Sequence, residues 1–146
     1  MIVLDTTVLV YAKGADHPLR DPCRRLIEAI ASGEVDATTT VEVIQELVHV
    51  RAQRRGRADA VALGRDYAEL LAPLLTVDTE QLRRGLELFG ESEQVGAFDA
   101  VLAAAALDAG ASALVSADRA FSSIAALHHV MANAEGIERL LSDERG

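Results

Sequence analysis

The sequence is poor in the residues that staple, kink or anchor a chain: 146 residues contain one cysteine, three prolines, one lysine and no tryptophan. A lone Cys23 excludes an internal disulfide, which fits a reducing cytoplasm. No catalytic context surrounds that cysteine, so a passive thiol is expected. Aromatic residues make up only 3% of the chain although half of it is hydrophobic, so the core must be built from Leu, Val, Ile and Ala. No apolar run reaches the ~20 residues of a membrane-crossing helix, and no basic segment precedes the apolar start. A soluble, unexported, cytoplasmic protein is the expectation. With no repeat, linker or low-complexity tract, one domain over residues 1–146 is expected, long enough to bury a sizeable core.

Positive charge is also scarce. The 14 basic residues face 23 acidic ones, for a net charge of −9, whereas phosphate binding ordinarily draws on an excess of Lys and Arg. Setting four acids aside for a metal still leaves the chain at −5. The exception is local: Arg51, Arg54, Arg55, Arg57 and Arg65 meet a single acid, Asp59. That run is either a solvated helix face or a basic patch.

What the chain does have is a short apolar run, Ile2-Val3-Leu4, ending at Asp5 and two hydroxyls, Thr6 and Thr7. Such a run suits a strand buried on both faces of a parallel sheet. Asp5 then stands at the strand's carboxyl end, where open α/β sheets place ligands, or merely caps the helix that follows. The spacing predicts a loop over residues 14–22 with Pro18 and Pro22 as breakers, a helix around Leu26 to Ile30, and a second strand over Val35–Thr39. A longer helix follows, with Val43, Ile44, Leu47, Val48 and Val50 on its apolar face and a capping box formed by Thr39 and Glu42. Capping leaves Glu46 unexplained beside that face, where a carboxylate is costly unless a cation compensates it.

Arg57 to Leu71 reads as the second arm of a helical hairpin turning at Gly56. Leu74–Val77 is a further strand candidate, and a helix capped by Asp78 or Thr79 runs to Phe89. Phe98 opens an almost wholly apolar helix that ends at Gly110. A strand at Ala113–Val115 leads to Ser116-Ala117-Asp118. A last strand, His129–Met131, and a terminal helix around Ile137 to Leu141 complete the chain. Alternation of this kind implies a three-layer α/β/α fold around a mainly parallel sheet of four to five short strands.

Asp5 and Asp118 follow strands, and Asp99 lies in the first turn of the apolar helix. A strand's carboxyl end and the next helix's start share one edge of such a sheet. Glu46, roughly 9 Å into its helix at ~1.5 Å per residue, leans back toward that edge because helical side chains tilt toward the N-terminus. Each Asp alone is equally a helix cap. A cluster of all four would repel itself, and Mg²⁺ or Mn²⁺, which favour carboxylate and water ligands, would relieve it and serve phosphoryl chemistry. His128 and His129 lack metal-ligand spacing, His49 falls on the arginine-rich side of its helix and reads as solvated, and there is no Gly-rich phosphate loop or nucleophile elbow.

The pieces Met1-Ile-Val-Leu-Asp-Thr-Thr-Val-Leu-Val-Tyr, Val43-Ile-Gln-Glu-Leu, Phe98-Asp-Ala-Val-Leu-Ala-Ala-Ala-Ala-Leu and Leu114-Val-Ser-Ala-Asp-Arg-Ala-Phe, in this order and spacing, resemble the PIN-domain nucleases, and among them the VapC-type toxins of bacterial toxin–antitoxin pairs. The resemblance covers nearly the whole chain. It implies a PIN-like fold and an Mg²⁺- or Mn²⁺-dependent endoribonuclease. Its acidic set falls on Asp5, Glu46, Asp99 and Asp118. Asp5 and Asp99 would be the main metal ligands, Asp118 would complete the shell, and Glu46 would ligate or orient the attacking water. Thr6 or Thr7 takes the supporting hydroxyl position. Many relatives have Asn where this chain has Ala117. The resemblance further implies an RNA substrate, a homodimer and a cognate VapB-type antitoxin, with Arg51, Arg54, Arg55 and Arg57 in the region that contacts RNA or antitoxin. A haloacid-dehalogenase-type phosphatase would want an Asp at Thr7, and a receiver domain would want a late Lys. A non-catalytic PIN-like binding module stays open on sequence alone.

Overall fold

The computed structural model describes all 146 residues. Its centre is a sheet of four strands in the order β2-β1-β3-β4, every neighbouring pair parallel. β1 (Ile2–Leu4) leads through α1 (Thr6–Lys13) and α2 (Arg20–Ala31) to β2 (Ala37–Thr38). Four helices follow: α3 (Val41–Arg55), α4 (Arg57–Leu70), α5 (Thr79–Glu91) and α6 (Ala97–Asp108). The chain then enters β3 (Ala113–Ser116), a 3₁₀ turn (Arg119–Ser123), β4 (His129–Met131) and α7 (Ala134–Arg145). Ile2, Val3 and Leu4 have no solvent exposure at all, so both faces of β1 are covered by helices, as in α/β proteins with parallel sheets.

The topology explains where a site must form. β1 carries β2 on one side and β3 on the other, so the chain leaves β1 in opposite directions at that seam. The carboxyl ends of strands flanking such a switch point are splayed apart and leave a crevice. β1 ends into Asp5, and β3 ends into Ser116 and Asp118. The register Leu4↔Val115 keeps the two strand ends level.

The long helices follow their sequences. α6 is rich in alanine, the best helix former, and its small side chains let it bury on nearly all sides. It packs closely on α5, where a Cβ on Gly85 would stand 2.8 Å from the Cα of Val101. α3 and α4 form the expected hairpin, and Gly56 makes the turn with φ at +87°, a conformation that favours glycine.

Four local expectations are corrected. The capping box is not at Thr39 and Glu42: Thr40 is the N-cap of α3, its hydroxyl accepting from the Val43 amide at 3.2 Å. Thr39 is fully buried, and its hydroxyl donates to the Leu4 carbonyl at 2.6 Å, linking this turn to the end of β1. A complete capping box stands instead at Asp78 and Gln81, at the head of α5. Pro22 does not break the chain; it lies in the first turn of α2, where its missing N–H has no intrahelical partner to lose. Leu74–Val77 is no strand: Leu75 makes one isolated parallel bridge to Thr40, too little to extend the sheet. β2 is cut to Ala37–Thr38, because Thr39 turns its side chain onto β1 rather than continuing the ladder.

Candidate active site

At the carboxyl ends of β1 and β3 lies an open cavity of about 590 Å³, and its wall includes Asp5, Glu46, Asp99 and Asp118. Four separate elements deliver them: the end of β1, the second turn of α3, the first turn of α6 and the turn after β3. Thr6 and Thr7 line the same cavity.

Asp5 is only 5% exposed. It occupies the N-cap position of α1, yet its side chain makes no capping bond. Its Oδ2 instead accepts from the Thr7 hydroxyl at 2.8 Å and the Ser116 hydroxyl at 2.7 Å. Two donors on one oxygen fix the rotamer and leave the other oxygen free. Ser116 is itself fully buried and also accepts from the Asp118 amide at 2.9 Å. Thr7 accepts from the Ala117 amide at 3.0 Å. These bonds stitch the end of β1 to the end of β3 across the switch point.

Sequence reasoning misses Ser116. The available signal is a hydroxyl at a strand's last residue, two positions before an acid at the sheet's ligand edge. Ala117 contributes only its backbone amide.

Glu46 projects into the cavity from α3, its Oε2 accepting from the Thr6 hydroxyl at 2.9 Å. The expectation that it sits desolvated beside an apolar stripe is corrected: it is exposed at the mouth, where solvent reaches its carboxylate. Asp118 is exposed too, and it does act as a cap, its Oδ1 accepting from the Ala120 amide at 2.9 Å. Asp99 differs from all of these. It accepts no hydrogen bond from the protein, and burial pushes its carboxyl up to about 6, with the nearby charges of Asp5, Asp118 and Glu46 adding to the shift.

None of the four carboxylates is ion-paired; every salt bridge of the chain lies elsewhere. Nor do any three of them close into a ready-made metal cage. The donor set is nonetheless that of a hard divalent cation: oxygen only, uncompensated, and open to solvent. Mg²⁺ usually keeps several waters and takes only one or two carboxylates directly, so an open wall of acids fits it better than a closed cage.

Among the other candidates, Cys23 is buried and its thiol is pushed up to about 12 by desolvation, an inert group as expected. His128 and His129 contact the carbonyls of Ser112 and Ser116, and His49 is exposed beside Gln53. Arg51 is held by Asp59 and also donates to the Lys13 carbonyl at 3.1 Å. Arg54 lines the acidic cavity, whereas Arg55 and Arg51 line a second cavity beside it and Arg57 lines neither.

Comparison with known proteins identifies the family and the fold. A PIN-domain family model matches residues 2–127. Ribonuclease VapC7 of Mycobacterium tuberculosis is 56% identical over 147 residues, covering 98% of this chain and 99% of that protein. Ribonuclease VapC13 of the same species is 30% identical, covering 84% of this chain and 94% of that protein. Among solved structures, the Mycobacterium tuberculosis toxin VapC20, described as cleaving the sarcin–ricin loop, superposes with a TM-score of 0.69 at 15% identity over 87% of this chain and 98% of that one. A VapBC2 complex from Rickettsia felis, bound to a promoter DNA fragment, gives the same TM-score at 21% identity, over 90% of this chain and 98% of that one. A parallel sheet whose switch point gathers four carboxylates, matched by the family model over most of its length, places this chain in the PIN-domain family.

Proposed function

We propose that the chain is a divalent-metal-dependent endoribonuclease of the VapC type, hydrolysing RNA phosphodiester bonds at the Asp5, Glu46, Asp99 and Asp118 pocket. One observation carries this reading: four acids from four distant stretches line one cavity, and none of them is ion-paired. A structural role would leave the half-buried charge of Asp99 facing that of buried Asp5, whereas a bound dication would neutralise both. The near-full-length similarity to Ribonuclease VapC7 supports the substrate class.

In this reading Asp5 and Asp99 would hold Mg²⁺ or Mn²⁺, with Asp118 as a further ligand. When bound, the ion supplies an activated water and neutralises charge on the phosphate oxygens. The protein's own part is positional. Thr7 and Ser116 clamp one Asp5 oxygen so that the other points outward. Thr6 holds Glu46 at the mouth, where its free oxygen orients the incoming water and takes up its proton as the new P–O bond forms and the ester P–O bond breaks, the departing ribose oxygen taking a proton from solvent. Asp99, free of hydrogen bonds, adjusts to the ion without breaking any other contact.

The same reading gives the chain a homodimeric state and an antitoxin partner, the latter in line with the VapB–VapC complex among its structural neighbours. A net-acidic surface favours a basic partner segment. The test is cleavage of RNA by the isolated protein with Mg²⁺ or Mn²⁺ and with chelator, read by end mapping. Divalent-dependent cleavage lost in Asp5→Asn supports the proposal. A folded protein that cuts no RNA with either ion is instead a binding module.

A further inference from the structure

The acidic cavity is continuous with the second one, of about 290 Å³: the two share Val10, Gly14, Ala15, Val50 and Arg54 as wall. The second cavity has the opposite character. Its charged wall residues are Lys13, Arg51, Arg54 and Arg55, and it contains no acid. Arg51 is already neutralised by Asp59. Lys13, Arg54 and Arg55 form no ion pair anywhere, although acids outnumber bases by nine in this chain. The result is one groove with an acidic end and a basic end, and Arg54 at the junction.

At the acidic end the groove also carries an aromatic pair in a chain with only five Phe and Tyr residues. Tyr11 and His17 lie with ring centroids 4.5 Å apart and planes tilted by 33°. The His17 ring is steadied by the Leu19 amide, which donates to Nδ1 at 3.1 Å, and the ring's outer side faces solvent. Asp16, on the same wall, is paired with Arg20 and adds little repulsion. Unpaired cations in a groove beside an aromatic platform are how proteins track a single nucleic-acid strand: cations take phosphates and rings take bases.

From this geometry, and resting on the nuclease reading above, we infer that the groove is the track of single-stranded RNA. The scissile phosphate lies at the carboxylates, the neighbouring phosphates lie on Arg54, Arg55 and Lys13, and one base stacks on His17 against Tyr11. This sets the path of the strand and resolves the charge objection, since the cations needed are few, local and uncommitted. It also divides the arginine-rich hairpin: Arg54 and Arg55 serve RNA, whereas Arg51 braces α3 to α4 and α1.

The test uses the full chain in EDTA, so that nothing is cut, with a fluorescent single-stranded RNA oligonucleotide titrated at several NaCl concentrations. For single strands each lost phosphate contact lowers the salt slope by about 0.7, so Arg54→Gln with Arg55→Gln should lower it by about 1.4. The control, Arg65→Gln with Arg139→Gln, changes charge equally outside the groove and should leave the slope unchanged. With Mn²⁺ the groove variant should raise KM about tenfold with kcat within about twofold, because lost phosphate contacts weaken binding and leave the chemistry alone. His17→Ala should weaken binding of the oligonucleotide about tenfold through the lost stacking, and binding of an abasic strand of equal length not at all. Equal slope losses in both double variants would mean diffuse charge and overturn the track. So would a groove variant that binds RNA normally but no longer binds its purified antitoxin, which would assign the groove to the protein partner. A wild-type chain that cuts RNA while the groove variant keeps its slope overturns the track and leaves the nuclease reading intact. A wild-type chain that neither binds nor cuts RNA overturns the nuclease reading itself.

Discussion

Replacing Asp99 with Asn should make the metal-free protein more stable. The carboxyl of Asp99 is pushed from 3.8 to about 6 by burial and by its acidic neighbours, so its ionised form is disfavoured in the folded state. At ~1.36 kcal/mol per pKa unit the full penalty would be about 3 kcal/mol. Asp99 is partly open to solvent, and screening reduces that to about 1–2 kcal/mol. Because Asp99 accepts no protein hydrogen bond, the substitution removes the charge and little else. For a chain of this size the gain corresponds to a rise in Tm of about 5 °C. The sign with pH follows from the raised folded-state pKa of an acid. The folded state holds this proton more tightly than the unfolded chain, so the wild type loses stability as pH rises from 3.8 through about 6. The amide that replaces the carboxyl cannot titrate, so the variant's advantage is complete at about pH 7.5 and mostly gone at about pH 4. The assay is thermal unfolding in EDTA at both pH values, repeated with Mg²⁺. The ion should raise the wild-type Tm, because it binds only the folded state, and raise that of the variant less. A variant less stable than wild type in EDTA at the higher pH, or equally favoured at the lower, refutes the claim that burial and acidic neighbours penalise the Asp99 charge.

Asp5→Asn and Ser116→Ala should separate ligand from support: the first abolishes divalent-dependent cleavage, and the second lowers it in part, with circular dichroism showing both folded. Full activity in Asp5→Asn would remove it from the site. Glu42→Gln should leave cleavage nearly unchanged and Glu46→Gln should reduce it strongly, since only Glu46 lines the cavity; comparable losses in a cleavage assay would contradict that placement. Gly85→Ala should cost about 1–3 kcal/mol in denaturant unfolding, because the new methyl would meet the backbone of Val101 and force α5 off α6. Asp78→Ala, which removes the capping box of α5, should cost about 1 kcal/mol in the same measurement.

The sequence by itself determined the elements whose signal is local. The run Ile2-Val3-Leu4 is apolar because both its faces are covered, and the alanine-rich α6 is apolar because it is buried all round. The acids also declare themselves locally, by standing at strand ends and helix starts. What sequence misjudges are choices between near-equivalent neighbours. Thr39 and Thr40 offer the same hydroxyl, and only the position of Leu4 beside them decides that Thr39 bonds to β1 and Thr40 caps α3. Glu46 stands out in the sequence for a reason the structure does not support, since it lies exposed at the mouth of the cavity rather than desolvated beside the apolar face of α3.

Tertiary structure alone decided three things. It set the order β2-β1-β3-β4, which makes the β1–β3 seam the crevice. It turned Asp5 from a helix cap into a clamped carboxylate, because its donors, Thr7 of α1 and Ser116 of β3, meet only through space. It also split the arginine run into paired and unpaired members. The physical reason is the same in each case: hydrogen bonds and charge interactions depend on distances between residues up to 111 positions apart, and a linear pattern encodes burial far better than it encodes those distances.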